Sequence, residues 1–400
     1  MILHLTGAIS SLTRTYAEAW ARTAPGHPTG RVFSAAQKAE REREVDLLME
    51  KSLPRIGRFR EMEETERARY AGRAHTALGK LLMDGPDPRV DRFFDECEAT
   101  GKTFVRRARD FDASLSGEEI HQALRNEWVF NSIQVFLGRP VSISPGSLAY
   151  SLMYPYTDNW LDATSHTAEE REDFQESLRR CIEGEEGPEE PGTFSRLVRM
   201  VEEEYPRARH PAVYDALLAI LRAQGKGLRL QCPAEGLDDS SMNAITIEKG
   251  GASVAVDGYL VRGRLSPSEL HALFGYGVVL QFIDDLQDME EDGAAGHLTM
   301  FTCGRADGPL DDLTGRLIRF THETVALLEA PGGGGFLPRL VGASCLILIL
   351  EAVARHREHY GLQFLRALEE YSPLRFSFLA GLHDRVRTSM AGHEDLLMSA

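Results

Sequence analysis

The most informative stretch of this chain is Leu280–Gly293, which reads LQFIDDLQDMEEDG. Its apolar residues have the spacing of a helix, yet carboxylates fill its second half. Acidic side chains at a helix C-terminus meet the negative end of the helix dipole, and like charges four residues apart repel each other. A positive partner is therefore expected near Asp284, Asp285, Asp288, Glu290, Glu291 and Asp292.

The start of this helix is well marked in the sequence. Ser266–Glu269 reads SPSE, which places serine at the N-cap, proline at the first helical position and glutamate at the third. The pattern predicts a helix from Pro267 to about Glu291, with Gly293 as its stop. Steps of three and four residues predict an inward face that becomes anionic in its last turns: Leu270, Phe274, Gly277, Gln281, Asp284 and Asp288.

An earlier helix ends in a second acidic group. Residues 147–166 read SLAYSLMYPYTDNWLDATSH, and Asp158 and Asp162 lie one above the other in the last turns with Asn159 beside them. Thr167–Glu170 predicts a capping box for the next helix, so this one should end near Ser165. Mg²⁺ prefers oxygen ligands and fills its coordination shell with water and phosphate, so two such clusters facing each other would hold a diphosphate between them.

The rest of the chain also has helical spacing. Residues 245–261, ITIEKGGASVAVDGYLV, have the composition of a strand, but their apolar residues recur at three- and four-residue intervals. The sequence therefore predicts an all-α protein of roughly a dozen helices.

Composition restricts the class of protein. The formal net charge is −16, which argues against a nucleic-acid partner, since phosphate binding requires a basic face. The five cysteines form no CxxC pair, so we expect a cytoplasmic protein without a disulfide framework. The N-terminal segment is a poor signal peptide, and the longest apolar run, near Leu346–Leu350, is too short to span a bilayer. We expect no stable membrane insertion.

Three motifs in order resemble the class I isoprenoid synthases, which comprise prenyl diphosphate synthases and their terpene-cyclising relatives. Asp158–Asp162, DNWLD, resembles the first aspartate-rich motif with asparagine at its second place. Lys249–Ala252, KGGA, resembles the lysine that approaches the diphosphate, and Gln281–Asp288, QFIDDLQD, resembles the second aspartate-rich motif. The likeness covers residues 128–302.

This resemblance implies a helical bundle around a deep apolar pocket. Residues 121–400 would form the catalytic core, with the helices of residues 1–120 packed on it or capping it. The resemblance also implies three Mg²⁺ ions, or Mn²⁺ in their place. Their ligands would be Asp158, Asn159, Asp162, Asp284, Asp285 and Asp288. The diphosphate would contact Lys249, and also Lys226, Arg229 and Arg222, for which a charged helix end is an equally good interpretation. The pocket would be lined by Phe274, Tyr154, Gln281 and Trp160.

Departures from the family pattern favour one subclass. Elongating members carry an arginine pair soon after the first motif, but residues 163–168 read ATSHTA, and Gly79-Lys80 and Gly101-Lys102 only faintly resemble the signature for a second diphosphate. The expected function is therefore a Mg²⁺-dependent terpene synthase that ionises and cyclises one allylic isoprenyl diphosphate, with homodimer formation left open. A prenyl diphosphate synthase or a head-to-head prenyltransferase is the main alternative. A di-iron bundle would need two Glu-x-x-His motifs, and the sequence supplies only one, at Glu118–His121. A non-catalytic helical interaction protein is a third class.

Overall fold

The computed structural model describes residues 2–56, 78–83, 85, 87–162, 166–185, 192–231, 237–329 and 335–390. Every regular element within these ranges is a helix, which confirms the all-α prediction. The first eight helices with described bounds are α1 (Ile2–Arg22), α2 (Ala35–Ile56), α3 (Pro88–Phe111), α4 (Gly117–Phe136), α5 (Pro145–Asp162), α6 (Ala168–Glu183), α7 (Thr193–Glu204) and α8 (Pro211–Gln231). The second eight are α9 (Asp239–Arg262), α10 (Pro267–Gln287), α11 (Met289–Ala295), α12 (Met300–Asp307), α13 (Asp311–Val325), α14 (Phe336–Arg355), α15 (Leu362–Tyr371) and α16 (Phe376–Met390). Short 3₁₀ turns cover Ala326–Leu328 and Arg357–His359.

Both predicted capping boxes are present. The Ser266 hydroxyl accepts a hydrogen bond from the Glu269 backbone N–H while the Glu269 carboxylate accepts one from the Ser266 N–H, and Thr167 and Glu170 make the same reciprocal pair. Residues 245–261 lie within α9, so the helical interpretation of that segment is also confirmed.

The predicted end of α10 is wrong. The helix stops at Gln287 with Asp288 as its C-cap, and Asp288 then serves as the N-cap of the short helix α11. The chain turns away at Gly296, whose left-handed φ of 77° suits glycine, rather than at Gly293. The break places Glu290, Glu291 and Asp292 in the first turn of α11, where the positive end of the helix dipole favours carboxylates.

The core is organised around α9 and α10, which run antiparallel in close contact. Glycines permit this approach, because a Cβ at position 250 would lie 2.6 Å from the Gly277 carbonyl oxygen. A Cβ on Gly251 would lie 2.4 Å from the ring of Phe274, which is fully buried. Because backbones this close cannot shift without a clash, the ends of the two helices keep fixed positions relative to each other.

Helix α1 packs on this central pair. The Tyr16 hydroxyl donates a 2.9 Å hydrogen bond to the His271 carbonyl oxygen, and the Trp20 and Phe282 rings lie 4.7 Å apart between centroids. Position 120, where the sequence suggested a boundary, lies in the first turn of α4. The role expected for residues 1–120 stays a prediction.

Among the residues that the structure describes, one helix, α14, is long and apolar enough by composition to cross a membrane. Half of its most apolar window is buried inside the protein. A core helix of a soluble protein meets the same criteria, so this is weak evidence for a membrane span.

Candidate functional site

Four aspartates meet where α10 gives way to α11, and we call them the acidic cluster: Asp284, Asp285, Asp288 and Asp292. Sequence periodicity pointed Asp284 and Asp288 toward the interior, and this orientation is wrong. The buried member is Asp285, which is 5 % exposed, whereas Asp284 is partly exposed and Asp288 is exposed. Leu270, Phe274 and Gly277 of the predicted face are buried, so the difference is confined to the last turns of α10, where the buried aspartate lies ~100° round the helix from Asp284.

Burial and mutual repulsion raise the pKa values in the acidic cluster. Burial raises the pKa of Asp285 to about 8, and the charges of Asp284 and Asp292 add to the effect although Gln281 donates a 2.9 Å hydrogen bond to its Oδ1. Asp288 is exposed as a residue, but its carboxyl group lies partly among protein atoms, and this burial together with the same two charges raises its pKa to about 6. Neighbouring protein groups thus leave the negative charge of the cluster incompletely compensated.

Two basic residues from other helices approach the acidic cluster. Arg125 of α4 donates from Nη2 to Asp284 Oδ1 at 3.2 Å. Lys249 of α9 is half-buried, and its charge lowers the pKa values of Asp285 and Asp292 against the larger, opposing effect of burial. The sequence identified Lys249 but gave no signal for Arg125, which lies in an ordinary helical segment far away along the chain.

The three other predicted basic residues lie on α8. Lys226 pairs with Glu248 at 2.6 Å, Arg222 donates from Nε to the Leu218 carbonyl oxygen at 3.0 Å, and Arg229 is exposed in the last turn. The end of α8 is tied to the segment after α11 by a 2.9 Å hydrogen bond from the backbone N–H of residue 298 to the carbonyl oxygen of residue 230. Contact of these residues with a diphosphate stays a prediction.

Helices α5 and α9 run antiparallel, as their polar contacts show. Asn126 Nδ2 donates to Ser151 Oγ at 3.1 Å and to Asp257 Oδ1 at 3.2 Å, which sets these two residues at one level. The hydroxyl of Tyr154, one turn further along α5, bonds the hydroxyl of Ser253, one turn back along α9.

Continuing this register by one more turn brings the backbone of Asp158 level with Lys249. The first motif therefore ends α5 on the level of the lysine that faces the acidic cluster. The helical backbone of the motif is described as far as Asp162. The side chains on which the predicted metal site also depends lie outside the described residues: Asp158, Asn159 and Asp162.

The four predicted pocket residues have different surroundings. Phe274 packs in the core against Tyr16, with ring centroids 5.8 Å apart. Gln281 donates its hydrogen bond to Asp285. Trp160 stacks on His166 and on Phe174, each at 4.0 Å between ring centroids. Tyr154 lines a small apolar cavity of about 30 Å³ that is bounded by α5, α6, α7 and α8. The expected deep apolar pocket stays a prediction.

Two buried acids in the bundle interior went unnoticed in the sequence. Glu127 of α4 and Asp257 of α9 are both fully buried. Burial raises the pKa of Glu127 to about 8 and that of Asp257 well above its ordinary value. An acidic residue inside an otherwise apolar run, as at Asp257, is the signal that could have found them.

Comparisons of the chain with protein-family models, with curated proteins and with solved structures found no match. The residues themselves present an acidic cluster at one end of a helical bundle, with Arg125 and Lys249 directed at it from two other helices. Such an end can bind cations through its carboxylates and anions through its two basic residues.

Proposed function

We propose that this chain is a Mg²⁺-dependent terpene synthase of the class I type. It would bind an allylic isoprenyl diphosphate at the acidic end of the bundle, ionise it, cyclise the carbocation and release diphosphate. The observation that carries the proposal is the state of Asp285: its Oδ2 is buried and accepts no hydrogen bond from the described residues, and Asp284 lies next to it. A buried carboxylate oxygen without a donor is costly unless a proton or a cation neutralises the group, and a divalent cation held by the acidic cluster would do so.

The donor set of the acidic cluster suits a hard divalent cation. Asp284, Asp285 and Asp288 offer carboxylate oxygens, and the side chains of the first motif would supply further oxygens from the end of α5. Mg²⁺ bound there would neutralise charge developing on the oxygens of the leaving diphosphate. The expected three ions, and Mn²⁺ as a substitute, belong to this proposal.

The chain's own groups have three tasks in the proposed reaction. Gln281 fixes the orientation of the Asp285 carboxylate through its 2.9 Å hydrogen bond. Lys249 and Arg125 add positive charge beside the carboxylates, which favours binding of an anionic diphosphate. The apolar interior below, with buried Phe282 one turn before Leu286, keeps water from the reacting carbon, and aromatic faces stabilise a cation by about 0.5–2 kcal/mol.

The test is an assay of purified protein with Mg²⁺ and allylic diphosphates of increasing length, each with and without isopentenyl diphosphate. Hydrocarbon or terpene alcohol formed without isopentenyl diphosphate supports the cyclase. Longer diphosphates that form only with isopentenyl diphosphate would identify an elongating synthase, and coupling of two identical chains would identify a head-to-head enzyme.

Substitutions connect the activity to the site. We expect Asp284→Asn and Asp158→Asn each to lower turnover about 100-fold or more, because each removes a charged ligand from the reacting end. Asp312→Asn is the matched control, since Asp312 is an exposed aspartate in the first turn of α13. Full turnover in both site variants, with unchanged circular dichroism, would refute the metal assignment. Absence of Mg²⁺-dependent diphosphate binding in the wild type would favour a non-catalytic helical protein.

A further inference from the structure

A second group of metal-binding side chains lies beside α11, separate from the acidic cluster. Glu290 of α11 meets His356 and Glu358, which follow the end of α14. One potential ligand atom from each of the three lies within 4.8 Å of the others. The imidazole of His359 joins the group, because its Nε2 lies 3.0 Å from Glu290 Oε1.

His356 is held in a form that can bind a metal. It is 5 % exposed, and burial, helped by the charge of Arg355, lowers its pKa, which favours the neutral imidazole that metals bind. Its Nε2 lies 3.4 Å from the carbonyl oxygen of Gln287. When Nε2 donates a hydrogen bond to that oxygen, the lone pair of the other ring nitrogen, Nδ1, is available to a metal ion. Metal-binding histidines characteristically donate their second nitrogen to a carbonyl or carboxylate in this way.

The two carboxylates retain coordination capacity. Glu290 receives the imidazole of His359 and the guanidinium of Arg305 at Oε1, the latter at 2.9 Å, and its carboxylate has a second oxygen, Oε2. Glu358 is exposed and has no hydrogen bond or ion pair to the described residues. Arg355, which precedes His356, is paired with a glutamate one turn earlier on α14 and donates to the Gln287 carbonyl oxygen.

We propose that Glu290, His356 and Glu358 form a transition-metal site, with Zn²⁺ as the expected ion and His359 or water as the fourth ligand. Mixed imidazole and carboxylate ligands suit Zn²⁺ and its neighbours, whereas Mg²⁺ prefers oxygen alone. Donor atoms of a tetrahedral zinc site lie about 3.3 Å apart, so ligand atoms within 4.8 Å need only small side-chain rotations to close around an ion. The two glutamates are exposed and can make them.

The site would link two parts of the fold that are distant in sequence. Glu290 belongs to the helix that follows the acidic cluster, and the other ligands belong to the turn between α14 and α15. A bound ion would cross-link α11 to that turn and hold the end of α10 in place. This inference does not depend on the proposed terpene synthase activity.

The experiment uses the full chain, stripped of metal with a chelator. Zn²⁺ is titrated by equilibrium dialysis with metal analysis, and Co²⁺ is used as a probe whose visible absorption reports its coordination. We expect one tightly bound Zn²⁺ per chain, tetrahedral Co²⁺ absorption that Zn²⁺ abolishes and equimolar Mg²⁺ does not, and a higher Tm with Zn²⁺. Glu358→Gln and His356→Asn should each weaken binding at least about 10-fold.

Two controls keep the outcome decisive. His322→Ala removes an exposed histidine on α13 and should leave Zn²⁺ affinity unchanged, and Asp284→Asn should do the same if the site is separate from the acidic cluster. Because His356 is buried, its variant is compared with Glu290→Gln and Glu358→Gln, which change exposed side chains. The proposal is overturned if the wild type binds no Zn²⁺, if both glutamine variants keep wild-type affinity, or if Mg²⁺ displaces Co²⁺ at equal concentration.

Discussion

Replacing Gly277 by alanine tests how closely α9 and α10 hold the two sides of the candidate site. A Cβ at position 277 would lie 2.1 Å from the carbonyl oxygen of Gly250 and 2.8 Å from its carbonyl carbon. Both are backbone atoms, so no side chain can rotate away, and the helices must separate by about 1 Å to approach normal contact. Lys249 directly precedes Gly250, and the acidic cluster begins seven residues after Gly277, so the separation moves Lys249 away from Asp285.

Two opposing contributions set the size of the effect. Overpacking a close contact costs about 1–3 kcal/mol, and contact between two backbones belongs at the upper end of that range. Alanine in place of glycine inside a helix returns about 1 kcal/mol. We therefore expect the free energy of unfolding to fall by about 2 kcal/mol. A chain of 400 residues has an unfolding entropy of roughly 0.8 kcal/mol/K, so the Tm should fall by roughly 2–3 °C.

The measurement is thermal unfolding followed by circular dichroism or calorimetry. Gly7→Ala is the matched control, because Gly7 lies inside α1 and a Cβ there meets nothing within 4 Å. That control should raise the stability by about 0.4–1 kcal/mol. A Tm for Gly277→Ala at or above wild type, with the control behaving as expected, would refute the close helix contact. A lower Tm with unchanged Mg²⁺ binding would separate packing from the proposed site.

Three further predictions follow from individual contacts. Burial raises the pKa of Glu127 from 4.5 to about 8, so between these pH values the folded state keeps a proton that the unfolded chain releases, and stability falls as pH rises from about 4.5 to 8. Glu127→Gln should flatten the fall of Tm over this pH range, and an unchanged slope would contradict the assignment. Ser266→Ala should lower the free energy of unfolding in urea by about 1 kcal/mol through loss of the α10 cap. Ser268→Ala serves as the control, since the Ser268 hydroxyl lies 3.2 Å from that of Ser266 and does not cap the helix; equal effects would rule out the cap. Arg125→Ala should change this free energy by less than about 1 kcal/mol, because the side chains of Arg125 and Asp284 are 59 % and 44 % exposed, and a loss of several kcal/mol would show that the pair is buried.

Local interactions explain why parts of the fold could be predicted from sequence. A capping box is formed within four consecutive residues, so Ser266–Glu269 and Thr167–Glu170 identify helix starts without tertiary information. The helical spacing of residues 245–261 likewise outweighed their strand-like composition. Lys249 and the aspartates of α10 were found as candidate residues because each lies in a short recognisable motif.

The orientation of α10 could not be predicted in the same way. Its buried residues surround nearly the whole helix, from Phe274 through Phe282 to Leu286, so no single apolar stripe indicates the inward direction. Which of two adjacent aspartates is buried then depends on packing against neighbouring helices. The break at Asp288 was missed because the residues on both sides are compatible with a continuing helix.

The sequence by itself determined the helical class, the helix starts and the two acidic motifs, since each depends on residues within one or two turns. Only the tertiary structure decided that Asp285 is the buried member, that Arg125 reaches Asp284 from α4, and that Glu290 meets His356 and Glu358. These contacts join residues tens to more than a hundred positions apart. They exist because close packing of the helices fixes the rotation and depth of each one, and no local pattern records that arrangement.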